Sequence, residues 1–392
     1  MPETVALYDF GPTGRLMLMG VLLALGPLAW VWLRRRSAAP AQRLRSLTLV
    51  TLFLTFDLVI FGAFTRLSDS GLGCPDWPGC YGSASPVGAH AQITQAQTAL
   101  PSGPVTHGKA WIEMIHRYLA TAVGVLILTL MAATFWSARQ RRDGGAAPLA
   151  VSPLWPALTL IWVCLQGAFG ALTVTMKLFP AIVTLHLLGG MVLLALLQAQ
   201  ASRYALAAGQ VQVLPVPARV RAMLLLCFAL LGVQIALGGW VSTNYAVLAC
   251  TDFPSCQGSM WPNMDFSQGF TLWRELGATR DGGNISFAGL TAIHYVHRLA
   301  AYAVMLALLI LAGWLGRDPG TRRASYSILA LVLWQFASGL SNVVLGWPLV
   351  AALAHTAGAA ALVIVLTATV CCTRSATGIR KPSFSSASQL SA

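Results

Sequence analysis

The sequence predicts an all-α polytopic membrane protein: two tandem four-helix bundles in the same orientation, preceded by one extra N-terminal transmembrane helix. Three observations carry this. Of the 392 residues, 56% are hydrophobic and only 9% are charged, against about 25% charged in a soluble domain. That excludes a water-soluble globule and a disordered chain. The apolar residues fall in blocks of about 20, long enough to cross a hydrocarbon core at about 1.5 Å rise per residue. A two-cysteine motif occurs twice at one spacing, and histidines recur with it.

Nine blocks read as spans: residues 13–33, 46–65, 111–136, 154–176, 180–200, 221–241, 289–314, 325–346 and 349–370. Arg34, Arg35, Arg36, Arg43 and Arg45 follow the first; Arg139, Arg141 and Arg142 the third; Arg203, Arg219 and Arg221 the fifth; Arg317, Arg322 and Arg323 the seventh; Arg374, Arg380 and Lys381 the ninth. Alternate loops are therefore basic, and the net charge of +13 reads as retention of these loops in the cytoplasm rather than as nucleic-acid binding. The expected N-terminus is periplasmic and the C-terminus cytoplasmic. The first block is too long for a cleaved signal peptide and lacks a small-residue cleavage site. The acidic start MPETVALYDF argues against a mitochondrial transit peptide and favours a bacterial inner membrane.

The two long outer loops, 66–110 and 242–288, each hold one cysteine pair: Cys74-Pro-Asp-Trp-Pro-Gly-Cys80 and Cys250-Thr-Asp-Phe-Pro-Ser-Cys256. An oxidising periplasm favours two disulfides. A zinc site is the rival, although each pair lacks a second pair nearby. Cys164, Cys227, Cys371 and Cys372 lie in or beside apolar blocks and read as core packing.

A duplication accounts for these matches. A shift of 176 takes Cys74 and Cys80 to Cys250 and Cys256, a shift of 181 takes His116-Arg117 to His297-Arg298, and a shift of 169 takes Gln166 and His186 to Gln335 and His355. Each repeat has four helices, an even number, so the halves share one orientation about an axis along the membrane normal. The expected units are 1–45 (first helix and basic loop), 46–210 and 211–372 (the two bundles) and 373–392 (a cytoplasmic tail). The first helix has only an anchoring or packing role.

Four of the seven histidines, His116, His186, His297 and His355, match across the repeat near the outer ends of their helices. Two imidazoles on neighbouring helices at equal depth can ligate one haem iron from opposite sides. Interhelical hydrogen bonding is the rival reading for any one of them. Gly167, Gly170, Gly189 and Gly190 in the first half, and Gly339, Gly346 and Gly358 in the second, leave room for a flat macrocycle. Arg117 and Arg298 follow a ligand candidate and are candidates for pairing with haem propionates, snorkelling to lipid phosphate being the rival. Arg66 is a weaker propionate candidate, with Ser242 as its counterpart.

The halves differ at one position. Glu113 lies on one helix face with His116, and the shift of 181 takes it to His294. A buried carboxylate beside one site only makes the first half the reactive one. Its rival role is a salt bridge to an arginine or a lysine such as Lys109. His294 reads as a substitute ligand or a donor behind the ligands. Asp57 reads equally as functional or as protonated and bonded to a neighbour such as Gln234, and His90 and His107 read as solvated loop residues.

The runs 62-GAFTRLSDSGLGCPDWPGCYG-82, 113-EMIHRY-118, 182-IVTLHLLGG-190, 294-HYVHRL-299 and 355-HTAGA-359 together resemble the haem A synthase family of cytochrome oxidase assembly proteins. The resemblance covers about residues 46–370, and the helix at 13–33 departs from the family's eight-helix pattern. It implies an oxidoreductase that converts haem O to haem A, oxidising a ring methyl to formyl by successive hydroxylation. Carried over to this chain, His116 and His186 face the substrate haem O, His297 and His355 ligate a haem b, Glu113 is the functional glutamate, and Cys74–Cys80 is a disulfide above the first site. The enzyme that farnesylates haem b would supply the substrate. The electron acceptor is not identified, and a homo-oligomer is compatible with the sequence without being required by it. The competing functions are a di-haem cytochrome that only relays electrons, which needs no Glu113, and a haem or metal transporter, which needs a path open to both sides.

Overall fold

A computed structural model describes residues 11–142, 152–279 and 282–375. The start 1–10, Arg380 and Lys381 lie outside the described residues, as do the side chains of Arg141 and Arg142. The elements are α1 (Gly11–Arg35), α2 (Pro40–Leu67), α3 (His90–Ala99), α4 (His107–Arg142), α5 (Leu154–Thr175), α6 (Pro180–Ala207), β1 (Leu214–Val216), α7 (Ala218–Thr243), α8 (Phe266–Gly269), α9 (Phe287–Leu315), α10 (Arg322–Val344), α11 (Leu349–Cys371) and β2 (Thr373–Ser375). Among the described residues, nine of these helices are long and apolar enough to span a membrane: α1, α2, α4, α5, α6, α7, α9, α10 and α11. The chain is an all-α polytopic membrane protein.

Local chemistry sets the boundaries. Pro40 and Pro180 open α2 and α6, where the missing N–H costs no helical bond. The α5–α6 turn passes through Lys177 (φ 50°) and Leu178 (φ 59°), and the α10–α11 turn through Gly346 (φ 68°) and Trp347 (φ 64°). These pairs are related by the shift of 169, so Gly346 is a turn residue and not space for a cofactor. The loops hold more structure than a sequence pattern shows. The helix α3 lies inside the first one, and α4 begins at His107, four residues before the expected start. On the basic side, β1 pairs in parallel with β2, and Arg221 donates to the carbonyls of Val370 (2.6 Å) and Thr373 (3.0 Å). The start of the expected tail is thereby tied to the second bundle.

In each half the second and fourth spanning helices carry the histidines. Helix α2 packs on α4 and α6, and α7 packs on α9 and α11; α5 pairs with α6 and α10 with α11. The halves meet where α6 contacts α7 and α11, and α11 contacts α2. Below the histidines, towards the basic side, Leu126, Leu130, Leu194, Leu197, Leu308, Leu311 and Leu366 form one continuous buried core shared by both halves. In lipid this core gains from close packing rather than from exclusion of water.

Helix α1 lies on α4 through a stripe of Leu16, Gly20, Ala24 and Val31. A Cβ at Gly20 would overlap the Thr121 side chain, whereas nothing lies within 4 Å of one at Gly26. The upper end of α1 joins the first cysteine loop, since Leu16 clusters with Cys74, Cys80, Met114 and Tyr118. Overpacking a close contact costs about 1–3 kcal/mol. Gly20→Leu should therefore lower the thermal midpoint of the detergent-purified protein, and Gly26→Leu should not; equal midpoints for the two variants would refute the close α1–α4 contact.

Candidate functional site

Each of the four repeat-matched histidines lies against a glycine of the neighbouring helix. A Cβ at Gly62 would stand 3.0 Å from His116, one at Gly170 3.4 Å from His186, one at Gly238 3.0 Å from His297 and one at Gly339 3.1 Å from His355. The shift of 176 relates Gly62 to Gly238, and the shift of 169 relates Gly170 to Gly339. At Gly62, Gly238 and Gly339 a Cβ would crowd the ring, whereas at Gly170 it would be in ordinary contact. Gly170 and Gly339 are among the glycines singled out from sequence, whereas Gly62 and Gly238 are not; testing glycines with the cysteine shift would have found them. Gly189 and Gly358 instead lie under the side chains of Gln166 and Gln335. Gly167 has nothing within 4 Å, and Gly190 meets Val59.

The His297 and His355 rings stand with centroids 6.5 Å apart and planes at 81°. A metal–nitrogen bond of about 2 Å on each side, with the ring radii added, gives a centroid separation of about 6 Å. The pair therefore fits one iron held between them. Nδ1 of His355 is 3.1 Å from Ser338 Oγ, and Nδ1 of His297 is 3.1 Å from the Gln234 amide, so Nε2 is the nitrogen that each ring could offer to a metal. In the first half Phe61 stacks on His116 at 6.2 Å, and the buried His186 Nδ1 has no hydrogen-bond partner. The Gln234 amide nitrogen faces His297, and Asp57 is exposed on α2.

Above the histidines the two cysteine loops have the same construction. Cys74–Cys80 and Cys250–Cys256 are disulfides, which overturns the zinc alternative. The backbones of Cys80 and Ser83 bond each other, as do those of Cys256 and Ser259. Asp76 accepts from the N–H groups of Tyr81 and Gly82, and Asp252 from those of Gln257 and Gly258. Both loops carry a cis proline bond, at Trp77-Pro78 and Phe253-Pro254. Tyr118 donates to the Ala84 carbonyl, and Tyr295, from the equivalent of position 114, donates to the Met260 carbonyl. Those two carbonyls are again 176 apart.

The arginines beside the ligand candidates hold these loops. Arg117 is 8% exposed and donates through Nη1 to the carbonyls of Asp76, Pro78 and Gly79. Arg298 is 7% exposed and donates to those of Cys250, Asp252 and Ser255. Burial excludes snorkelling to lipid phosphate. Both guanidinium groups hold carbonyls of the loops above the histidines. Glu113 pairs with Arg117 and accepts from the Cys74 N–H at 2.8 Å. Lys109 is not its partner and donates to the Gly103 carbonyl. His294 holds Ala246 and Arg298, so both its nitrogens are used and it is no ligand.

Between the halves, Arg66 donates to the Ser242 carbonyl (2.9 Å), sits 4.0 Å over the Tyr245 ring and lies 3.6 Å from Asp69, which accepts from the Tyr245 hydroxyl at 2.6 Å. Burial and the Asp69 carboxylate both raise the Tyr245 phenol above its usual pKa. Two further expectations change. His107 begins α4 and bonds Thr94, with its ring 4.6 Å from that of His90. Cys164 is exposed rather than packed, whereas Cys227 is buried.

Two helical repeats, each with a histidine pair beneath a disulfide-pinned loop, define a duplicated polytopic membrane protein. The chain belongs to the cytochrome oxidase assembly protein family, which matches residues 45–367. It is 36% identical over 322 residues to a protein of Shewanella oneidensis named heme A synthase, covering 81% of this chain and 92% of that one. It is 29% identical over 360 residues to one so named in Methylobacterium radiotolerans (85% and 89%) and 26% over 313 residues to one in Alkalihalophilus pseudofirmus (77% and 88%).

The second loop makes a pH prediction. The Ser255 hydroxyl and the Gly258 N–H hold the Asp252 carboxyl down to about 2. A depressed folded-state pKa gives stability that is present above the unfolded value of about 4 and lost as pH falls through the folded one. Amide exchange at Gln257 and Gly258, corrected for intrinsic rates, should accelerate between about pH 4 and pH 2. Asp252→Asn should abolish that dependence; an unchanged profile in the variant would exclude Asp252 as its source.

Proposed function

We propose that this chain is a haem A synthase, oxidising a porphyrin ring methyl of haem O to a formyl group to give haem A for cytochrome oxidase. The observation that carries the reading is the fourfold histidine–glycine cradle, with a ring spacing in the second half suited to one iron. The first half takes haem O between His116 and His186, and the second holds haem b between His297 and His355. Haem b, when bound, supplies one-electron chemistry beside the substrate site. The disulfide side is periplasmic and the basic side cytoplasmic, in a bacterial inner membrane.

The chain's own groups divide the work. The glycines let the rings approach the backbone, and the buried core beneath keeps water from entering from the basic side. Arg117 and Arg298 fix the loops over the two sites, and these two with Arg66 are the candidates for the haem propionates. Glu113 lies one helical turn from His116, oriented by Arg117 and the Cys74 amide. From there it takes up a proton or stabilises positive charge as water adds to the oxidised ring substituent. The second half has a histidine at that position and performs no such step. The upstream farnesylating enzyme is a functional partner because it makes the substrate.

Co-expression with that enzyme, followed by chromatography of the extracted pigments, tests the reading: haem A or an oxidised haem O intermediate should appear. Haem b alone would instead indicate an electron relay. Glu113→Gln keeps an acceptor for the Cys74 N–H and should leave bound haem in place while lowering haem A yield about tenfold or more. Full yield from that variant would remove Glu113 from the chemistry. His297→Ala and His355→Ala should each abolish the low-spin haem b spectrum, and an unaltered spectrum would refute the ligand assignment.

A further inference from the structure

The two halves use the same arginine with different companions. Arg117 and Arg298 are related by the shift of 181 and grip equivalent carbonyls, those of Asp76 and Asp252 and of Gly79 and Ser255. In the first half the guanidinium is neutralised by Glu113. In the second the companion is His294, 4% exposed. Its Nδ1 donates to the Ala246 carbonyl at 3.1 Å, and its Nε2 accepts from Arg298 Nε at 3.2 Å. A ring with one nitrogen donating and the other accepting is the neutral tautomer. The oxygens that accept a hydrogen bond from Arg298 are backbone carbonyls, and the Asp252 carboxylate acts on it through space without bonding it.

Nearby carboxylates do not restore the balance. Asp252 faces Ser255 and the amides of Gln257 and Gly258, and its counterpart Asp76 caps the first loop in the same way, so the two cancel in a comparison of halves. A second buried cation adds to the difference. Arg274, 4% exposed, donates to the Asn244 side-chain oxygen and the Ala278 carbonyl, and its Nε has no partner. Among the described residues the ion pairs are Arg66–Asp69 and Arg117–Glu113, and neither involves these second-half arginines.

We propose that the His294–Arg298 pair sets a redox potential: by leaving a buried guanidinium without the bonded carboxylate that its counterpart Arg117 has, it raises the reduction potential of a haem held by His297 and His355. This rests on the haem b assignment made above. A ferric haem carries one more positive charge than a ferrous one, so an unneutralised buried cation disfavours the ferric state. Glu113 at the equivalent position has the opposite influence on the first site. Position 113/294 thus separates the two sites electrostatically as well as chemically.

The test is an equilibrium redox titration of the purified protein with mediators, read at the haem b absorption band. His294→Glu should lower the midpoint, cutting the ferrous-to-ferric ratio at the wild-type midpoint by about three- to tenfold, with both end-state spectra unchanged. His294→Gln, polar and uncharged, should leave the midpoint in place. Asn244→Asp places a carboxylate on Arg274 without touching α9, and it should shift the midpoint the same way even if the His294→Glu variant does not fold. An unmoved midpoint in the carboxylate variants, or a shift with His294→Gln equal to that with His294→Glu, would overturn the proposal while leaving the haem assignment intact. Absence of a low-spin haem from the wild-type second half would overturn both.

Discussion

The architecture depends on a guanidinium that is buried and still satisfied. An arginine next to each second-helix histidine has to find acceptors where water is scarce, and an unpaired buried charge is strongly unfavourable. The cysteine loop supplies them, because the disulfide and the aspartate cap curl its carbonyls inward over the helix end. The constraint works in both directions. The arginine fixes the loop, and the loop prevents the arginine from reaching for the bilayer surface. With helix and loop locked together, the neighbouring histidine has a defined height and heading.

Below that level the problem is different. Four imidazoles need open space between helices, whereas the bundle needs close packing to hold together. The chain separates the two requirements along the membrane normal. Glycines face the rings in the disulfide-side part, and leucines fill the basic-side part. Helix α1 adds a strut to one half only, reaching from the basic side to the first cysteine loop through its small-residue stripe. The first half therefore has more support than the half with a histidine at position 294.

Much of this was legible in the residues, because lipid imposes strict rules. Every span in a helical membrane protein must be long and apolar, so the nine helices could be read directly. The repeated cysteine and histidine spacing marked the site residues. What could not be read were properties of side-chain direction. The sequence does not say that loop carbonyls fold back towards the helix to meet Arg117 and Arg298. The residues allowed Glu113 an arginine or a lysine as its rival partner, and the structure selects Arg117, one turn the other way from Lys109. Gly62 and Gly238 passed unnoticed because many helical glycines look alike until a ring is laid on one. The helix α3 is polar and short, so no apolar pattern announces it.

The contacts between the halves bear on how such a chain arises. Arg66 meets Ser242 and Asp69 meets Tyr245, and in both cases the partners are each other's counterparts, 176 residues apart. Such residues sit on the axis relating the copies. In a symmetric homodimer a side chain on the axis meets its own twin, so an arginine there would face an arginine and an aspartate an aspartate. Joining the two copies in one polypeptide removes that restriction. The seam can then carry a cation beside an aromatic ring and a carboxylate beside a phenol, combinations that a pair of identical subunits could not place on their dyad.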